Sequence, residues 1–94
     1  MANEPRYVRQ KLVIGLSMLN VRKGSFGARV RDAWAEISVL DAEDFSDAAA
    51  RADYERLQAM RELYVVEPQT PKLTDEQLHD VSATIKRLHD AAAR

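Results

Sequence analysis

The sequence predicts an all-α fold: a small, four-helix, bundle-like single domain of 94 residues with its first helix central. Three observations predict it. Apolar residues recur at three- and four-residue spacing in four separate stretches, the signature of helices with one buried face. Between those stretches stand a glycine turn at Gly24, an acidic run from Asp41 to Asp44, and the paired prolines Pro68 and Pro71. A chain this short also buries only about 60–65% of its unfolded surface, so its helices must share one core.

The first helix is expected over 5–21. Asn3 and Glu4 followed by Pro5 give a capping residue and a proline at the first helical position. Val8, Leu12, Leu16 and Leu19 fall on one stripe, and Tyr7, Ile14, Met18 and Val21 on a second. Two apolar stripes call for two partners, which is why this helix is placed at the centre. Gly15 lies between the stripes, where the lack of a side chain lets another backbone approach.

Gly24 supplies the left-handed residue that turns the chain, and Ser25 caps a second helix over 25–40. Phe26, Val30, Ala33, Trp34, Ile37 and Leu40 form its apolar face, with Trp34 expected against a stripe of the first helix. The acidic connection that follows holds Phe45 as an anchor for the end of the core, with a helical turn of its own allowed. Asp41, Glu43 and Asp44 lack the glycine and the later bidentate glutamate of a calcium loop.

Ser46 with Asp47 opens a third helix over 46–66, with Ala49, Leu57, Met60, Leu63 and Tyr64 as its core face and Asp47 and Arg51 paired on the exposed side. Asp53, Tyr54, Arg56 and Arg61 lie on or beside that apolar arc, either pairing at its rim or marking a contact surface. The segment from Glu67 to Pro71 is extended, because no helix crosses two prolines. Thr74 and Gln77 form a capping box, flanked by Leu73 and Leu78 in the positions of a hydrophobic staple. It starts a fourth helix over 74–92 with Leu78, Val81, Ile85, Leu88 and Ala92 along one seam.

Apolar residues at 46% and charged residues at 31% are ordinary for a folded soluble protein, so neither disorder nor a membrane partner is expected. The apolar run after Arg6, Arg9 and Lys11 contains Ser17 and leads into Asn20-Val21-Arg22-Lys23, not into a small-residue cleavage site, which argues against a signal peptide. With no cysteine the chain suits a reducing compartment, and cytoplasm is the expected location. Charge is uneven. Residues 1–40 hold seven Lys/Arg against three Asp/Glu, and residues 41–94 hold seven against twelve. The halves are expected to attract each other within the fold or across a dimer; alternatively, the basic half meets an anionic partner.

Catalytic chemistry is not indicated. His79 and His89 stand ten residues apart on one helix, about 15 Å along its axis, too far to share a metal. Ser17, Ser25 and Ser82 lack the surroundings of a nucleophile. The chain therefore reads as a non-enzyme with no cofactor and no metal. The preferred function is a protein-binding module, an adaptor or a stoichiometric regulator or inhibitor, with homodimerisation left open. Val13, Val39 and Val65 are apolar residues outside the core pattern of their helices, and with Tyr54 and Arg61 they form the expected protein interface. The alternative is nucleic-acid or polyanion binding through Arg22, Lys23, Arg29 and Arg31 around the first turn. A helix-turn-helix is a weak match, since the most distinctive residues of the second helix belong to its apolar face.

Overall fold

The computed structural model describes residues 3–21, 24–61 and 73–93. It consists of α1 (Pro5–Asn20), α2 (Phe26–Ile37), a 3-10 turn (Ala42–Asp44), α3 (Ala48–Ala59) and α4 (Asp75–Ala92). No strand occurs among the described residues, and the fold is the small all-α bundle that the spacing predicts.

Pro5 sits in the first turn of α1, where its missing amide would have had no helical partner. The expected side-chain cap does not form. Glu4 holds the cap position without a side-chain bond, while Asn3 is drawn to the 3-10 turn, donating its backbone N–H and its Nδ2 to the Asp44 carboxylate. At the far end the Val21 N–H donates to the Ser17 carbonyl at 3.1 Å. Gly24 then turns the chain at φ 77°, a conformation that a side chain would strain. The Ser25 hydroxyl accepts from the Ala28 N–H at 3.1 Å and starts α2.

α2 lies antiparallel to α1. Arg29 near its start reaches Leu19 near the end of α1, and Lys11 near the start of α1 reaches Glu36 near the end of α2. The two helices cross at Gly15, where a Cβ would stand 2.9 Å from the Ile37 Cγ2. The α2 residues Val30, Ala33, Trp34, Ile37 and Leu40 are all buried, as their spacing predicts, and Phe45 closes the end of the core. Phe26 packs against its edge.

α3 differs from the expectation in three ways. Its cap is Asp47, whose carboxylate accepts from the Ala50 N–H at 3.0 Å, rather than Ser46. Its buried residues are Ala50, Tyr54 and Leu57, with Ala49 exposed. Leu57 is buried and Met60 packs against the core as expected, but Ala50 takes the place of Ala49 and Tyr54 turns inward, its ring filling the space between Trp34 and Phe45. The ring centroids are 6.0 Å and 5.1 Å away, respectively. The α-helix also ends at Ala59, where Met60 tightens into an i to i−3 bond with Leu57 at 3.1 Å. Leu63, Tyr64 and the Glu67–Pro71 linker lie outside the described residues.

α4 begins as its sequence signal requires. The Thr74 hydroxyl accepts from the Gln77 N–H, and the Gln77 side chain accepts from the Thr74 N–H at 2.9 Å. Leu78, Val81, Ile85 and Leu88 are buried along its seam, and Leu73 packs beside them. Thr84 is also fully buried, although no spacing argument places it in the core. Its hydroxyl donates to the Asp80 carbonyl at 2.7 Å and accepts from Arg56 at 2.6 Å and Arg87 at 3.0 Å. α1 packs most extensively on α2 and then on α4, and α4 touches every other helix.

Candidate interaction face

The α1 residues that reach the core are Val8, Leu12, Gly15 and Leu19. At about 100° per residue they occupy only about 60° of the circumference. Two stripes were expected to need two partners. Instead, α2 and α4 both close on this one sector and its flank, and the close crossing at Gly15 makes that possible. The second stripe, centred about 120° away, is left at the surface. Tyr7 is 37% exposed and Val21 48% exposed. Ile14 and Met18 are half-buried.

α2 continues this face. Met18 and Val21 share a surface groove of about 390 Å³ with Arg29, Asp32, Ala35 and Glu36. Val39, just past the end of α2, is 52% exposed and at about 100° per residue falls on the same side of α2 as Asp32 and Ala35. Lys11 and Glu36 bridge the helices at 2.8 Å toward the Tyr7 end of the face, and the Lys11 ammonium stands 5.6 Å from the centre of the Tyr7 ring. The hydrogen bond to Glu36 holds the Lys11 pKa above its ordinary value; the Glu36 charge adds to this, and desolvation opposes it. What results is an apolar strip with a closed ion pair beside it, toward the Tyr7 end.

The residues expected to form a protein interface do not all belong here. Val39 does. Val13 is 49% exposed, but it lies about 110° round α1 from the exposed stripe and so faces another direction. Tyr54 is withdrawn from the surface altogether: it is fully buried, and its hydroxyl donates to backbone carbonyls of Leu40 and Ile37 at 2.7 Å and 2.9 Å. Burial raises its pKa far above the ordinary phenol value, and the charges of Asp41 and Asp44 add to the shift. Arg61 is exposed just beyond α3, and Val65 lies outside the described residues. The missed members, Tyr7, Ile14, Met18 and Val21, had a visible signal: they were the second stripe, assigned to a partner helix inside the chain.

Of the cations expected to form an anion site, Arg29 and Arg31 are among the described residues, and each is engaged within the chain. Arg22 and Lys23 lie outside the described residues. Arg29 is committed to the end of α1, donating from Nη1 to the Leu19 carbonyl at 2.9 Å and the Val21 carbonyl at 3.2 Å. Its guanidinium also lies 5.4 Å from the centre of the Phe26 ring. Arg31 pairs with Asp32 at 3.0 Å. The acidic and basic halves do not meet through the ion pairs seen here either. Lys11–Glu36 lies within the first half, and Arg56–Asp80 and Arg87–Asp53 within the second. Of the residues expected at the rim of α3, Asp53 and Arg56 do pair with each other at 3.4 Å, and Asp80 and Arg87 of α4 join them.

A second cleft of about 380 Å³ lies between the start of α1, the 3-10 turn, the start of α3 and the end of α4. Arg9, Glu43, Asp44 and Asp47 border it, with Val8 and Phe45 beneath. Asp44 is already occupied by Asn3 and by the Asp41 N–H. His79 stacks 5.0 Å from Phe26, and His89 lies beside Asp90 at 3.4 Å. Among the described residues no group of three or more His, Asp or Glu is placed to hold a metal ion, and no helix is long and apolar enough to cross a membrane. Comparison with protein-family models, curated proteins and solved structures finds no match.

Proposed function

We propose that this chain is a small non-enzymatic protein-binding module, an adaptor or a stoichiometric regulator or inhibitor, that works by covering a partner's surface with the α1/α2 face. The observation that carries the reading is the second apolar stripe of α1. Tyr7 and Val21 stand exposed at its ends with Ile14 and Met18 half-buried between them, and the groove beside Ala35 and the exposed Val39 widen it. Single exposed apolar residues are commonplace on soluble proteins, but a contiguous strip flanked by charged residues is a feature of interaction surfaces. The absence of cysteine suits action in the cytoplasm.

The test is affinity capture from the native host with mass spectrometry, comparing the wild-type chain with Val21→Glu combined with Val39→Glu. Both positions are about half exposed, so helicity by circular dichroism should be unchanged. A partner retained in near-stoichiometric amount by the wild type and lost with the double variant supports the face. A partner retained equally by both chains removes it.

A further inference from the structure

We infer that α3 is a lid, held down by a polar bridge to α4, which undocks as a unit from α1, α2 and α4 and uncovers the side of Trp34 that faces Tyr54. No α3 residue lines the groove between α1 and α2, so this inference and the reading of that face stand or fall separately.

Helix packing is the first argument. α1, α2 and α4 pack on one another in all three pairs, whereas α3 rests chiefly on α4 and the 3-10 turn. The three mutually packed helices therefore hold a core without it. α3 buries Ala50, Tyr54 and Leu57, and only the last two are large. An element with so few buried apolar side chains belongs to the low end of local stability within a fold.

The second argument is that the other contacts holding α3 are polar and wet. Arg56 reaches from α3 to the Thr84 hydroxyl at 2.6 Å and to Asp80 at 3.2 Å, and Arg87 reaches back from α4 to Asp53 at 3.3 Å. Arg56, Asp80 and Arg87 are exposed and Asp53 is half-buried. Exposed pairs of this kind contribute little, because water replaces them when they part. Thr84, fully buried, is not stranded by the departure of α3: its hydroxyl still donates to the Asp80 carbonyl and accepts from Arg87, both on its own helix.

The geometry also places the hinge and the plug. The hydrogen bonds of Asn3 to Asp44 tie the 3-10 turn to the start of α1, and Phe45 stays in the core, so the chain bends at the exposed Ser46 and Asp47. Tyr54 is the plug. Its ring sits between Trp34 and Phe45, and its withdrawal leaves the Ile37 and Leu40 carbonyls, just past the body of α2, to water. A helix of 12 residues is marginal once detached, so its amides lose their protection when it undocks.

Hydrogen exchange followed by NMR under native conditions tests this. The amides from Tyr54 to Leu57, in the middle of α3, should share one protection factor, at least tenfold below that of Val81 to Leu88 in α4. They should accelerate together in urea below the unfolding transition, because undocking exposes apolar surface. Arg56→Gln combined with Arg87→Gln removes the bridge but keeps good helix formers at both positions. It should speed α3 exchange at least fivefold and leave α1 and α2 within twofold. Equal protection of α3 and α4 would overturn the inference. So would protection in α3 that is graded from its ends and insensitive to urea, which is the mark of fraying. A double variant that accelerates every helix equally, or leaves α3 unchanged, would overturn it as well.

Discussion

The Tyr54 hydroxyl lies 2.7 Å from the Leu40 carbonyl oxygen and so ties the middle of α3 to the chain just beyond α2. The single phenolic proton is shared with the Ile37 carbonyl at 2.9 Å. Ile37 keeps a second donor in the Leu40 N–H, so Leu40 is the group that depends on Tyr54. Removing only the hydroxyl in Tyr54→Phe leaves that carbonyl buried without this donor, at an expected cost of about 1–2 kcal/mol. Tyr54→Ala also opens a void between Trp34 and Phe45 and should cost about 3–5 kcal/mol. Urea unfolding followed by circular dichroism measures both. The alkaline limb is a further check, because the folded phenol titrates above the unfolded value of about 10. The contribution of Tyr54 is complete below that pH and is lost as pH rises above it. Wild type and Tyr54→Phe should therefore differ less at high pH than at pH 8.

Gly15 to Ala sets two effects against each other. Alanine improves helix propensity by about 1 kcal/mol, but its methyl would stand 2.9 Å from the Ile37 Cγ2. That atom is a branch at a fully buried position rather than the far end of a flexible chain, and crowding of this kind costs typically about 1–3 kcal/mol. A net loss of about 1 kcal/mol is expected, smaller when combined with Ile37→Leu, which removes the β-branch. Additive effects of the two substitutions in thermal unfolding would show that the helices do not meet at this point.

What the sequence made legible follows from where its signals are local. Thr74 with Gln77, Ser25, Gly24 and the apolar faces of α2 and α4 were all readable, because a cap or a period depends on neighbours along the chain. Tyr54 and Thr84 were not. Spacing offers no way to tell that a tyrosine hydroxyl finds a carbonyl beyond α2, or that two arginines and the Asp80 carbonyl satisfy a threonine in the core. The same limit explains α1. Its two stripes were visible, but which one the chain would cover depended on how closely α2 could approach at Gly15. Val39 was picked out correctly as exposed, and Val13 was too, yet only three-dimensional placement separates one from the other.

Arg29 acts as a cap on another helix. With Leu19 and Val21 as acceptors, it satisfies carbonyls at the end of α1 that have no helical donor. Arg29→Gln should cost about 1–2 kcal/mol through those charge-assisted bonds, whereas Arg6→Gln, on the exposed start of α1, should stay within about 0.5 kcal/mol. Hydrogen exchange should show the loss at the last turn of α1. A change of equal size in the two variants would mean that Arg29 is only a surface charge.

Asp44 gives the fold an acid-sensitive joint between the start of α1 and the 3-10 turn. Partial burial pushes its pKa up, but hydrogen bonds from the Asp41 N–H and from the Asn3 side chain and N–H outweigh this and hold it below the ordinary value of 3.8. The sign follows from the depressed folded value. In the unfolded chain the carboxyl titrates near ~3.9, so its contribution is complete above that pH and is lost as pH falls through the lower folded value. Asp44→Asn puts an amide donor where three donors converge, and at pH 7 it should be less stable by about 1–2 kcal/mol. As the medium is acidified below pH 4 the wild type should lose that advantage, and the two urea midpoints should converge. Glu43→Gln, on the exposed side of the same turn, should change stability by less than about 0.5 kcal/mol. A gap between wild type and Asp44→Asn that stays constant down to pH 2 would mean that the ionised carboxylate does not hold Asn3.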